Sequence, residues 1–172
     1  NKLTKNFQSY FLPICLILIL SFSRIIPHPS NFTPILAVGV FSGFYFRNFL
    51  LGALIVIFSM FLGDLYLGFH DKMFFTYISL AIAVALGLLI KRLKFTEILF
   101  SGLASSVCFF IITNFGAWLT LKMYEKNFTG LLQSYVLAIP FFHNTLISTF
   151  LYLIVLKLLF DLEIKKIFKI LT

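Results

Sequence analysis

The chain has 172 residues, of which 60% are hydrophobic and 12% are charged, and its formal net charge is +8 at pH 7. Soluble domains carry roughly 25% charged residues, so this composition excludes an ordinary water-soluble domain and indicates a single integral membrane domain over residues 1–172. In a membrane chain the positive charge first reports topology, and it does not predict nucleic-acid binding.

Six membrane spans are predicted in chain order. They cover about residues 10–26, 32–46, 48–67, 73–90, 96–121 and 141–160. The second is short for about 30 Å of hydrocarbon, so we expect it to start or end inside the bundle. The stretch GLLQSYVLAIP (130–140) is too short to span and too apolar for a plain loop, which predicts a short interfacial or re-entrant helix before the last span. The predicted fold is an all-α bundle of six transmembrane helices.

The first span is interpreted as a retained helix, because no small-residue cleavage site follows it. Cys15 and Cys108 both fall inside apolar runs, which argues against a disulfide framework.

Basic residues predict the orientation of the bundle. With the N-terminus in the cytoplasm, ten of the 14 Lys and Arg residues face inward, and only Arg24, Lys72, Lys122 and Lys126 face outward. Both termini are therefore predicted to be cytoplasmic. Residues 161–172 form a basic amphipathic tail suited to an anionic inner membrane surface.

Polar side chains concentrate at the predicted outer face, where one concave site could use them together. The predicted substrate-binding residues are Arg24, His28, Asn31, Asp64, His70, Asn114, Trp118, Tyr135, His143 and Asn144. Pro27, Pro29 and Pro34 stop any helix through the first loop, and we expect this loop to form a rigid lid or wall of the pocket.

Some of these residues also have structural interpretations. Asp64 could pair with Arg24 or Lys72, since an ionisable residue in a membrane helix is costly unless it is paired or hydrated. Trp118 could anchor the helix at the interface, and Asn114 could bridge two helices.

The three histidines lie on separate loops without ligand spacing, so no metal site is predicted. His143 has a second interpretation, as a hydrogen-bonding group at the start of the last span. No catalytic constellation, phosphate-binding glycine loop or cofactor motif is apparent, and the chain is predicted not to be an enzyme.

Small residues predict helix packing or partner surfaces. Gly39 and Gly43 form a GxxxG pair in the second span, and Ala81 and Ala85 form a small face in the fourth.

Three stretches carry a family resemblance: RIIPHPSNFTPILAVGVFSG, LGDLYLGFH and FFIITNFGAWL…GLLQSYVLAIPFFHNT. Over residues 24–150 the chain resembles an uncharacterised family of bacterial inner-membrane proteins that is similar to the S components of energy-coupling-factor (ECF) vitamin transporters. PHPxNFTP and PFFHNT are the most distinctive motifs. The resemblance implies an S-component-like six-helix bundle in the bacterial inner membrane that binds a vitamin or similar micronutrient from outside. It also implies an energising transmembrane subunit with ATPases as a partner.

The first span departs from that pattern. S components commonly meet the energising subunit through alanines on the first helix, whereas YFLPICLILILSFSRII contains neither Ala nor Gly. The small faces of the second or fourth span are the remaining candidates for that contact, and the protein working alone is the other alternative.

Two functions are therefore compared. The first is a substrate-binding component for vitamin uptake, whose ligand carries a flat ring if Trp118, Tyr135 and the Phe-rich walls contact it. The alternative is a structural or assembly subunit of a larger membrane complex, which would expose small or apolar faces without a closed pocket.

Overall fold

The computed structural model describes residues 11, 15–92 and 94–171, with side chains described as far as residue 162. Within these residues the chain forms seven helices and no strand, which confirms the all-helical class. We number them α1 (residues 15–23), α2 (Ile35–Phe46), α3 (Phe49–Leu67), α4 (Met73–Leu89), α5 (Phe95–Thr120), α6 (Phe128–Val136) and α7 (Ile139–Leu171). Tyr10, residues 12–14 and the side chains of the predicted basic tail beyond residue 162 lie outside the described part.

Three of these helices are long and apolar enough to cross a membrane: Phe49–Leu67, Phe95–Thr120 and Ile139–Leu162, with mean hydropathy of 2.2, 1.9 and 1.9. They support a membrane protein, and the full set of six spans stays a prediction. α2 and α4 are apolar but shorter.

α2 lies at the centre of the bundle. It has 12 residues, which gives a length of about 18 Å at 1.5 Å per residue, well short of a bilayer core of about 30 Å. Ten of its residues are buried, and it contacts α3, α4, α5 and α7. Its uniform hydrophobicity is explained by this position, since a helix enclosed by others needs no polar face.

Glycines allow α2 and α4 to pack backbone against backbone. A methyl group at Gly43 would overlap the Val84 carbonyl oxygen, and one at Gly87 would overlap the Val40 carbonyl oxygen. Small residues permit this close approach between membrane helices. The GxxxG pair therefore packs inside the chain.

The remaining predicted packing residues differ in their surroundings. Gly39 faces Ala83 of α4, with 3.3 Å between the Ala83 Cβ and the place of a Gly39 Cβ. Ala81 and Ala85 are only half-buried, and their role toward a partner stays a prediction.

α6 is a short helix between α5 and α7, in the region where the sequence predicts an interfacial or re-entrant helix. The Asn127 side chain caps it by accepting a hydrogen bond from the Gly130 N–H at 2.8 Å. The Tyr135 hydroxyl donates to the Ile111 carbonyl at 3.0 Å, which fastens α6 to α5. Two turn residues then lead directly into α7.

Basic residues hold the end of the bundle at which α2 and α4 terminate. The Arg47 guanidinium donates to the carbonyls of Leu88 and Lys91, at 3.1 and 3.2 Å. The Glu97 carboxylate accepts hydrogen bonds from the backbone N–H groups of Lys91 and Arg92. The Arg47 guanidinium thus satisfies backbone carbonyls at and just after the end of α4, and the Glu97 carboxylate satisfies backbone N–H groups of the loop that follows.

Candidate functional site

A cavity of about 730 Å³ opens at the opposite end of the bundle. Its walls come from the end of α1, the start of α2, the loop before α4, the second half of α5 and the first half of α7. Five of the ten predicted substrate-binding residues line it: Arg24, His28, Asn31, His70 and Asn114.

An ion pair lies behind the wall of the cavity. The Arg24 Nη1 donates to the Asp64 Oδ1 at 2.7 Å and to the Met60 carbonyl at 2.8 Å. The Tyr77 hydroxyl donates to the other oxygen, Oδ2, at 2.7 Å. The Asp64 side chain is 0% exposed and that of Arg24 is 16% exposed. Asp64 therefore does not line the cavity and holds Arg24 in place instead. Of the two partners considered for Asp64, the structure selects Arg24.

Gly63 makes room for this pair. A Cβ at Gly63 would lie 2.5 Å from the Arg24 Nη1. The guanidinium therefore lies directly on the backbone of α3, at a distance that only glycine leaves open.

Two further basic side chains follow in the loop before α4. His70 lines the cavity, and its Nε2 lies 4.0 Å from the Asp64 Oδ1. Its Nδ1 is buried and has no hydrogen-bond partner among the described residues. Burial lowers the pKa of His70, and the cations Lys72 and Arg24 lower it further, against the raising effects of the Asp64 and Asp71 carboxylates. His70 therefore presents a neutral ring at neutral pH, and Lys72 adds a permanent positive charge to the cavity wall.

The proline-rich loop forms another part of the wall. His28, Ser30 and Asn31 line the cavity. Asn31 has a φ of 62°, in the left-handed region that Asn tolerates better than most residues. The His28 Nδ1 lies 2.6 Å from the Ile26 carbonyl. This contact requires a proton on Nδ1 and leaves Nε2 as an acceptor when the ring is neutral.

Side chains of α7 hold this loop by hydrogen bonds to its backbone. The Asn144 amide donates to the Ser30 carbonyl at 2.9 Å, and the Ser148 hydroxyl donates to the Asn31 carbonyl at 3.4 Å. Asn144 thus acts on the backbone of the loop and does not line the cavity. The first loop therefore lines the cavity as a wall, and α7 holds this wall in place.

The predicted residues of α5 and α6 separate in the structure. Asn114 lines the cavity, and its amide donates to the Phe110 carbonyl of its own helix at 2.8 Å. The Trp118 Nε1 donates to the Glu125 carbonyl at 2.9 Å, so Trp118 fastens the loop after α5 instead of lining the cavity. Tyr135 is likewise outside the lining, with its hydroxyl on α5.

His143 does not line the cavity either. Its Nδ1 lies 3.0 Å from the Ile139 carbonyl, one turn earlier in α7. This agrees with its second interpretation, as a group that hydrogen-bonds at the start of the last predicted span.

Several lining residues were missed by the sequence analysis. On α7 they are the hydroxyl residues Thr145, Ser148 and Thr149, whose spacing of three and four places them on one helix face. The Thr149 hydroxyl is buried without a partner among the described residues. The helical spacing was the available signal, but hydroxyls in membrane helices commonly bond to the preceding turn, as Thr145 does to the Phe141 carbonyl.

The chain matches one known protein family over residues 4–170: a family of unknown function, DUF6580. The chain belongs to this family. No curated protein matches this chain significantly, and no solved structure does.

The cavity lining combines polar groups with aromatic side chains. Within the described residues, no group of three or more His, Cys, Asp or Glu side chains is placed to hold a metal ion. The cavity offers cationic N–H donors, hydroxyls, two side-chain amides and aromatic walls. Such groups can orient and enclose a small organic molecule by hydrogen bonds, charge and apolar contact.

Proposed function

We propose that this protein is a membrane-embedded binding component that takes up a vitamin or similar micronutrient from the outer face of a bacterial inner membrane. In this proposal it is not an enzyme, and it resembles the S components of ECF transporters in role. The cavity of about 730 Å³ is the observation that carries the proposal.

The dimensions and lining of the cavity support it. Sites for small molecules typically measure about 300–1,000 Å³ and combine mostly apolar walls with a few placed polar groups. Here Phe109, Phe110, Phe141 and Phe142 contribute aromatic surface, while Arg24 and its neighbours contribute polar groups. The prolines of the first loop reduce the conformational entropy lost when a ligand is enclosed.

The distribution of charge supports the orientation. The cavity end carries Arg24 and Lys72, with Lys122 and Lys126 in the loop after α5. Arg47, Lys91 and Arg92 lie at the other end of the bundle, to which the remaining Lys and Arg residues of the sequence are also predicted to belong. The positive-inside rule then puts the cavity outside and both termini in the cytoplasm. In this arrangement α1, α2 and α4 join the three long helices as spans of an S-component-like bundle of six.

Movement of a bound ligand across the membrane would require an energising transmembrane subunit with ATPases. Ala81 and Ala85 are half-buried on α4, and they are the surface we propose for that contact. Gly39 and Gly43 are less suited to it, because both face α4 within the chain.

Native mass spectrometry of the protein purified from its own membranes tests the proposal. We expect a co-purified molecule of vitamin mass in the native chain and its loss in Thr113→Trp, which places a large ring on the cavity wall. Leu119→Trp is the matched control, because Leu119 lies on the same helix, is 49% exposed and does not line the cavity. A chain that carries no small molecule but retains other membrane subunits would contradict the proposal and support the assembly role.

A further inference from the structure

One edge of the Arg24 guanidinium makes no hydrogen bond to the described residues. Its Nη1 already donates to Met60 and Asp64, which accounts for both N–H groups of that nitrogen. That edge consists of the Nε and Nη2 groups, which have no hydrogen-bond partner among the described residues. The Arg24 side chain is 16% exposed and lines the cavity. These two nitrogens form the fork that binds a carboxylate or similar anion with two parallel hydrogen bonds.

The orientation of Arg24 is fixed before any ligand arrives. Asp64 is fully buried and holds Nη1 at 2.7 Å, the Met60 carbonyl holds the same nitrogen, and Gly63 lies directly beneath. The side-chain entropy that an exposed arginine would lose on binding is therefore already lost.

The charges around Arg24 define how many negative charges the site accepts. Arg24 and Lys72 carry two permanent positive charges, and the buried carboxylate of Asp64 offsets one of them. His70 lines the cavity as well, and its buried Nδ1 has no hydrogen-bond partner among the described residues. Among the lining residues one positive charge, that of Lys72, remains without a salt bridge. Asp71 is exposed beside Lys72 and lies outside the lining. A ligand with a single negative charge matches this balance within the lining.

The rest of the cavity suits an apolar ring. Phe110 and Phe142 lie with their ring centroids 4.7 Å apart, at an interplanar angle of 45°. With Phe109 and Phe141 they give the cavity an aromatic wall that can pack against a flat ligand. The α7 residues Thr145, Ser148 and Thr149 line the cavity as well, and the buried Thr149 hydroxyl has no hydrogen-bond partner among the described residues.

We infer that the ligand of this cavity is a small ring compound with one carboxylate, and that the carboxylate binds the free edge of Arg24 beside Lys72 and His70. This inference rests on the proposed function and names the chemical class of its ligand. An anionic phospholipid such as phosphatidylglycerol also carries a single negative charge on an apolar body, so the test below separates the two sources.

Charge-selective labelling measures the charge preference of the cavity even when its ligand has not been identified. Cys15 and Cys108 are first replaced by Ala, and a single cysteine is then introduced at Thr76 or Thr113, both of which line the cavity. The rates of modification by the anionic reagent MTSES and the cationic reagent MTSET are compared with those of a free thiol in solution. We expect the anionic reagent to be favoured by about threefold or more, because clefts of one charge sign concentrate ions of the opposite sign by roughly 10-fold or more.

Lys72→Gln and Lys122→Gln form the matched pair of variants. Lys72 lines the cavity, whereas Lys122 is exposed outside it. We expect Lys72→Gln to reduce the anion preference by about half or more and Lys122→Gln to leave it unchanged. Equal preference for the two reagents, or equal effects of the two variants, would overturn the inference while the proposed binding function stands. Absence of labelling at both cysteines would instead contradict an accessible cavity, and with it the proposed function.

A lipid arm completes the experiment. Labelling is repeated in nanodiscs of phosphatidylcholine alone and of phosphatidylcholine mixed with phosphatidylglycerol, which carries one negative charge. We expect equal labelling by MTSES in both. Protection by phosphatidylglycerol would identify a lipid as the occupant and overturn the assignment of a small carboxylate.

Discussion

Removing Arg24 is predicted to destabilise the protein far more than removing an equally short ion pair at the surface. The Arg24 and Asp64 charges meet at 2.7 Å with the carboxylate fully buried, and in Arg24→Gln that carboxylate keeps only the hydrogen bond from Tyr77. Breaking a buried pair from one side costs roughly 3–5 kcal/mol. The same variant also removes the proposed ligand fork, so its stability is measured in protein stripped of ligand.

The opposite substitution is predicted to cost less. Asp64→Asn keeps the size of the side chain and leaves a charge on Arg24, which lines the cavity and can be hydrated there. We expect a loss of about 1–3 kcal/mol, typical of a disturbed hydrogen-bond network. The double variant Arg24→Gln with Asp64→Asn is expected to be more stable than Arg24→Gln alone, because no unpaired charge remains buried.

The matched control is the ion pair between Lys157 and Asp161 on α7. Its N–O distance is also 2.7 Å, but its side chains are 26% and 41% exposed. Asp161→Asn is expected to cost about 0.3–0.5 kcal/mol, as for other pairs at this helical spacing. Unfolding in mixed micelles, followed by circular dichroism, gives all four free energies. Equal losses for Arg24→Gln and Asp161→Asn, or no recovery in the double variant, would show that burial of an unpaired Asp64 charge does not dominate the loss of stability.

Three further predictions use the same unfolding measurement. Gly43→Ala should lower the free energy of unfolding by roughly 1–3 kcal/mol, because the added methyl group meets the Val84 carbonyl. Gly39→Ala should change the free energy of unfolding little, and equal losses in the two variants would contradict the packing of α2 on α4. His70 has a lowered pKa, so on acidification the unfolded chain takes up its proton before the folded chain does, and the free energy of unfolding should fall as the pH drops below about 6.5. His70→Asn should remove this part of the pH dependence, and a pH profile unchanged by the substitution would contradict the prediction. Arg47→Gln should lower the free energy of unfolding by about 1 kcal/mol, because the carbonyls of Leu88 and Lys91 lose their guanidinium donor. An unchanged free energy of unfolding would show that water replaces the guanidinium.

The sequence was most informative about the helices themselves. Prolines stop a helix by local geometry, and the structure has a loop over residues 27–33, before α2. Long apolar runs and the short stretch before α7 likewise indicate helices whatever elements pack around them. The all-α class follows from such local signals.

Contacts between distant residues were harder to predict. Arg24 and Asp64 are 40 residues apart, and their pairing depends on how α1 lies along α3 and on the space left by Gly63. The sequence offered Lys72 as an equally good partner. Only the packing of the helices decides between the two.

Long polar side chains also mislead when their direction is unknown. Trp118 and Tyr135 were expected at the ligand, yet each donates a hydrogen bond to a backbone carbonyl outside the cavity lining. Asn114 lines the cavity, but no sequence signal shows that its amide bonds to its own helix. These outcomes depend on side-chain rotamers and on helix rotation.

The most direct test of the binding function is an experimental structure of the protein purified from its native membranes. We expect density for one compact molecule in the cavity of about 730 Å³, with an anionic group against Arg24 and Lys72 and a ring against the aromatic wall. A cavity closed by its own side chains, or filled by a lipid acyl chain, would contradict it.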